Sequence, residues 1–206
     1  MQFVLRAGAC GLIAMLLIPG HAVAQEPGFA ATPMSPAECT VAPLANESLI
    51  ALFEATPGVM SATLDRTPVA TPQPPTGGIP ADADTIALIA ATTRQVVACA
   101  NAGDLARLFA LYSKHYLFGI YGGLGSDLTP AEIEQRVQSF ASPVPMPGES
   151  QITFGAVEDV RVLSDGRVLA TIVYVHGRAL ASFVKVGDRY LVDWAYDLQD
   201  DGTPAP

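Results

Sequence analysis

The chain has 206 residues, half of them hydrophobic, with 20 acidic against 11 basic side chains and a formal charge of −9. That length leaves room for one domain with extensions rather than two full domains. So acidic a chain is poorly suited to nucleic acid or to an anionic membrane surface.

Residues 1–24 read as a signal peptide. Arg6 gives the positive end, Ala9 to Ile18 is a short apolar run, and Ala22-Val23-Ala24 supplies the small residues a signal peptidase needs. Cleavage after Ala24 leaves a more acidic chain in a secreted or cell-envelope setting, with no later stretch apolar enough to span a membrane. Cys39 and Cys99 then remain as an even pair in an oxidising compartment, where a disulfide is expected. The alternative is two separate buried thiols.

Residues 25–81 form an arm rich in Pro, Thr and Ala, expected to be mostly irregular. Ser35-Pro36-Ala37-Glu38 has helix-start chemistry, and Asn46 to Ala55 fits one short helix with Leu49, Ile50, Leu52 and Phe53 as its apolar residues. Thr67 to Pro80 reads as an extended linker.

The domain proper is expected over 82–198, with a flexible tail at 199–206. Ile86, Ile89, Thr93, Val96, Val97 and Ala100 recur at helical spacing, after capping residues at Asp82 or Asp84 and before Gly103. A second helix is predicted from Asp104 to Leu117, with Leu105, Leu108, Phe109, Tyr112 and Tyr116 on one face. Leu117 to Asp127 reads as a short strand or loop, and Thr129-Pro130-Ala131-Glu132 opens a third helix carrying Ile133, Val137 and Phe140.

From Ile152 onward the period changes to two. Four antiparallel strands are predicted at about Ile152–Leu163, Arg167–His176, Ala179–Val186 and Arg189–Leu198. With two-residue turns throughout, Val157, Asp159, Ile172, Tyr174, Ala181, Phe183, Val192 and Trp194 share one face. Glu158, Val160, Val173, Ser182, Val184, Leu191 and Asp193 share the other.

Val96-Val97-Ala98-Cys99-Ala100-Asn101-Ala102-Gly103-Asp104, leading into Leu108-Phe109-Ala110-Leu111-Tyr112-Ser113, resembles the nuclear transport factor 2-like (SnoaL-like) superfamily, in its exported form. The closing Asp188-Arg189-Tyr190-Leu191-Val192-Asp193-Trp194 adds to the likeness, which covers Asp82 to about Leu198. The resemblance implies an α+β cone, helices packed on a curved antiparallel sheet around a pocket, often dimeric through the sheet. It says little of activity, because the superfamily holds isomerases, dehydratases, cyclases and domains without known chemistry.

Enzymes of that superfamily use a pocket carboxylate or an Asp–His pair. Here the candidates are Asp159 and Asp193, each as readily a solvated or structural strand residue. His115 and His176 read as boundary residues. Tyr112, Tyr116, Tyr121, Tyr174 and Trp194 are candidate pocket residues for a small apolar or aromatic ligand, though the same set fits an ordinary core. The sequence carries no nucleophile motif, phosphate-cradling loop or metal-ligand cluster, so no cofactor and no metal are expected. The leading expectation is a non-enzymatic module that binds a small molecule or another protein. The alternative is an isomerase or lyase using Asp159 or Asp193 with a tyrosine.

Overall fold

A computed structural model describes residues 33–54, 77–121 and 125–199. The signal peptide and its cleavage site, residues 67–76 of the linker and residues 200–206 of the tail lie outside the described residues.

The fold is α+β. Five helices are described: α1 (Asn46–Glu54), α2 (Ala83–Ala102), α3 (Leu105–Phe109), α4 (Lys114–Tyr121) and α5 (Pro130–Phe140). Strands β1 (Ile79–Pro80), β2 (Phe154–Val162), β3 (Val168–Tyr174), β4 (Gly177–Val186) and β5 (Arg189–Leu198) form one antiparallel sheet in sequence order. The four expected strands are therefore joined by a short fifth, contributed by the end of the arm.

The helix signals act as the sequence implies. Asp82 caps α2 by accepting the Thr85 N–H at 2.7 Å. Gly103 closes α2 at φ 62°, where a side chain would also strike the Val144 backbone. Thr129 and Glu132 form a reciprocal capping box on α5. α2 lays Ile89 on the sheet among Val168, Ile172, Phe183 and Val192 to make the main core.

Between α3 and α4 the helix predicted to run through to Leu117 is broken. Residues 110–113 leave the helical path because β5 captures their backbone. The Val192 N–H donates to the Leu111 carbonyl at 2.9 Å, and the Ser113 N–H donates to the Val192 carbonyl at 2.8 Å. Ser113 then starts α4, its Oγ accepting the Tyr116 N–H at 3.0 Å. The stretch after Leu117, expected as strand or loop, is helical as far as Tyr121.

The arm is fastened at three points on α2. Cys39 and Cys99 form a disulfide with Cα atoms 4.7 Å apart. Closing a loop of 60 residues contributes about 4 kcal/mol in the chain-entropy picture. Gln95 accepts the Thr40 N–H at 3.0 Å and donates to the Glu38 carbonyl at 2.8 Å. Asn101, fully buried, donates to the carbonyls of Met34 and Ile152 and accepts the Ile152 N–H, all within 2.9 Å. The arm's own helix α1 buries Leu49, Leu52 and Phe53 against Phe109, Ile133 and Val137 to form a second core. The arm is thus partly a structural wall of the domain.

Three bulges interrupt the register, one of them at Gly155 near the start of β2, and the other two rearrange the expected faces. Further along β2, Glu158 pairs with Thr171 and Arg161 with Leu169, so Asp159 and Val160 together oppose Ala170. Asp159 takes the left-handed backbone at φ 46°, and Val160 turns into the main core. In β5, Ser182 pairs with Trp194 while Phe183 pairs with Val192, leaving Asp193 as the extra residue. Trp194 therefore joins the Ser182 face, away from the core residues Ala181 and Phe183.

Asn101→Ala is expected to lower unfolding free energy by roughly 3 kcal/mol, since it strands three part-buried backbone groups. Ser182→Ala is expected to raise it by about 1 kcal/mol, because the Ser182 hydroxyl is wholly buried and has no partner among the described residues. Urea unfolding of the unreduced variants checks both signs.

Candidate functional site

Both candidate aspartates sit at bulges, and the bulges send them to different places. Asp159 is exposed and pairs with Arg161 at 2.8 Å. Asp193 is buried, and its Oδ1 accepts the Ser113 hydroxyl at 2.6 Å. The same oxygen lies 3.5 Å from Nδ1 of the half-exposed His115. The carboxylate thus holds a helix-capping serine beside the break. Ser113 donates into Asp193 and accepts from Tyr116, so its hydroxyl is committed to the backbone turn rather than presented as a nucleophile. His176 is exposed on the β3–β4 turn.

The tyrosines divide. Tyr112 comes from the break, Tyr116 and Tyr121 from α4, and Tyr174 from the end of β3. Tyr112 and Tyr116 meet edge to face with ring centroids 5.1 Å apart. Burial pushes the Tyr112 phenol well above its ordinary range, and Tyr116, Tyr121 and Tyr174 add to the rise. Burial likewise raises Tyr174, to about 12, with Asp197 and Tyr116 contributing. Tyr116 is raised by burial and then by Tyr121, Asp197 and Tyr196, and Tyr121 by burial. Four phenols thus converge from three segments and are held protonated at neutral pH. Trp194 stands apart on the other face, its ring 4.9 Å from that of Tyr196.

Beside this cluster lies a groove of about 530 Å³ that sequence reasoning did not locate. One wall is the arm, with Leu44, Ala51 and Leu52. Phe109, Leu117 and Phe118 from α3 and α4 form the second, and Val186 and Leu191 of the β4–β5 hairpin form the third. Tyr112 is the one member of the predicted aromatic set among its described lining, alongside the polar side chains Ser48, Ser113, Lys114 and Arg189. The signal available in the sequence was the apolar face of α1. It carried no indication of which surface that face would meet. Among the described residues no group of His, Cys, Asp or Glu is arranged to hold a metal, and no helix is long and apolar enough to cross a membrane.

The raised phenols set a pH dependence. Below pH 10 the folded and unfolded chains both keep these protons. Between pH 10 and about 12 the unfolded chain releases protons that folded Tyr112 and Tyr174 retain, so stability falls as pH rises. The slope is up to about 1.4 kcal/mol per pH unit for each phenol. Unfolding midpoints at pH 9 and pH 11 should differ by less in the Tyr112→Phe, Tyr174→Phe double variant than in the parent.

Compared with protein-family models, with curated proteins and with solved structures, the chain finds no match.

Proposed function

We propose that the chain is an exported domain of the nuclear transport factor 2-like type that holds a small, mainly apolar molecule and performs no chemistry on it. The observation that carries this reading is the groove of about 530 Å³ with predominantly aliphatic and aromatic walls. That size lies within the range of roughly 300–1,000 Å³ usual for small-molecule sites. The order of elements, helices first and then an antiparallel meander of long strands, supports the family assignment. The Cys39–Cys99 disulfide is compatible with an oxidising compartment.

Two features weigh against the isomerase or lyase alternative. General acid–base catalysis works best with a group whose pKa lies near the working pH, and the clustered phenols are shifted away from neutrality. Asp193 already accepts the Ser113 hydroxyl and is absent from the described lining of the groove. Asp159 faces solvent.

The test is a blocked groove. Ala51 is exposed on α1 and lines the cavity, so Ala51→Phe fills space without touching a core. The substitution should change stability by less than about 0.5 kcal/mol. Binding of an apolar fluorescent probe is expected to weaken at least about tenfold, a loss of roughly 1.4 kcal/mol. Unchanged probe affinity would place any binding elsewhere and remove the groove from consideration. Non-denaturing mass spectrometry of protein purified unreduced from its own host gives the second readout. It is expected to show added mass that denaturation releases.

A further inference from the structure

The described lining of the groove carries charge of one sign. It includes Lys114 and Arg189 and no Asp or Glu, in a chain with 20 acidic and 11 basic residues. Among the described residues, these two cations also belong to the few without an occupation of their own. Nine Lys and Arg side chains are described. Arg107, Arg161, Arg167 and Arg178 pair with carboxylates. Arg94 and Lys185 stand over the rings of Phe154 and Tyr190. That leaves Lys114, Arg136 and Arg189, and two of these three line the groove.

Their placement is polarised. Lys114 is the first residue of α4 and Arg189 the first of β5, and both are exposed. The apolar residues Phe109, Leu52 and Leu117 beside them are almost fully buried, at 1%, 2% and 4% exposure. The cavity therefore has wet cationic side chains and an apolar lining. A cation at such a rim keeps its hydration while attracting an opposite charge, and its long stem adds apolar cover.

We propose that the ligand is a free aliphatic carboxylate, its chain in the apolar groove and its single negative head group between Lys114 and Arg189. The proposal deepens the small-molecule reading above and rests on it. Binding is non-covalent, so specificity comes from two separable sources. The chain contributes burial that grows with each methylene, and the head group contributes a salt-sensitive attraction.

Calorimetric titration of the unreduced protein with dodecanoate, decanoate, dodecanol and dodecyltrimethylammonium, each below its micelle concentration, separates the two. Dodecanoate should bind roughly tenfold tighter than decanoate, given the burial of two methylenes. It should also bind at least about tenfold tighter than dodecanol, with the advantage shrinking in high salt. The Lys114→Gln, Arg189→Gln double variant alters two exposed positions, and its melting temperature should match the parent's. It is expected to erase the preference for dodecanoate while lowering dodecanol affinity by no more than about threefold, the share of the lost stems. Equal binding of dodecanoate and dodecanol, indifferent to the double variant, would overturn the head-group assignment and leave the apolar groove standing. Tightest binding by dodecyltrimethylammonium would overturn it as well. So would capture of phosphatidylglycerol vesicles without affinity for monomeric dodecanoate. Failure of all four compounds, in the parent as in Ala51→Phe, would remove the groove itself as a binding site.

Discussion

The arrangement of this domain depends on a pair of backbone hydrogen bonds between the α3–α4 break and strand β5. Leu111 and Ser113 exchange bonds with Val192 that a continuous helix would have made internally. The break leaves helices of 5 and 8 residues, each too short to persist alone in water. They hold because β5 satisfies the turn between them, because Asp193 fixes the Ser113 cap, and because their apolar sides are buried. Tyr112 sits at the pivot. It packs against both the sheet core and the α1–α5 core, and it lines the groove. One local departure from helix geometry thus positions the tyrosine cluster and shapes the cavity beside it.

The arm completes that cavity. Without α1 the side chains of Phe109 and Leu117 would lose the cover of Leu49, Leu52 and Phe53. The Cys39–Cys99 bridge and the Gln95 and Asn101 contacts anchor the arm to α2, and α1 follows within a few residues of that anchor. The Leu44 N–H, bonded to the Ala106 carbonyl at 2.8 Å, leads the chain from anchor to helix. An arm of mostly irregular composition therefore contains the short helix its residues imply, and tertiary contact buries that helix's apolar face.

What the sequence made legible follows the range of each signal. Caps at Asp82, Gly103 and Thr129 act over a few residues, and α2 and α5 begin or end where those residues stand. The change of period at Ile152 marks the sheet because alternation is a property of each strand alone. The bulges at Asp159 and Asp193 were not legible, because an extra residue is a feature of pairing between strands. Each displaced a neighbour from its expected face, Val160 inward and Trp194 away from the core. The helix break was hidden for a related reason. Leu105, Leu108, Phe109, Tyr112 and Tyr116 keep helical spacing across it, and only the proximity of Val192 interrupts them. The groove was hidden because its three walls come from segments far apart in the chain.

The measurement that bears most directly on this account is residue-resolved amide hydrogen exchange. If the break is pinned to β5, the Ser113 and Val192 amides should exchange as slowly as those of the central strands β3 and β4, and Ser182→Ala should slow them together with that core. Rapid exchange at Ser113 beside a protected β5, or unbroken helical protection from Leu105 through Tyr121, would contradict it. Either result would remove the basis for both the tyrosine cluster and the groove.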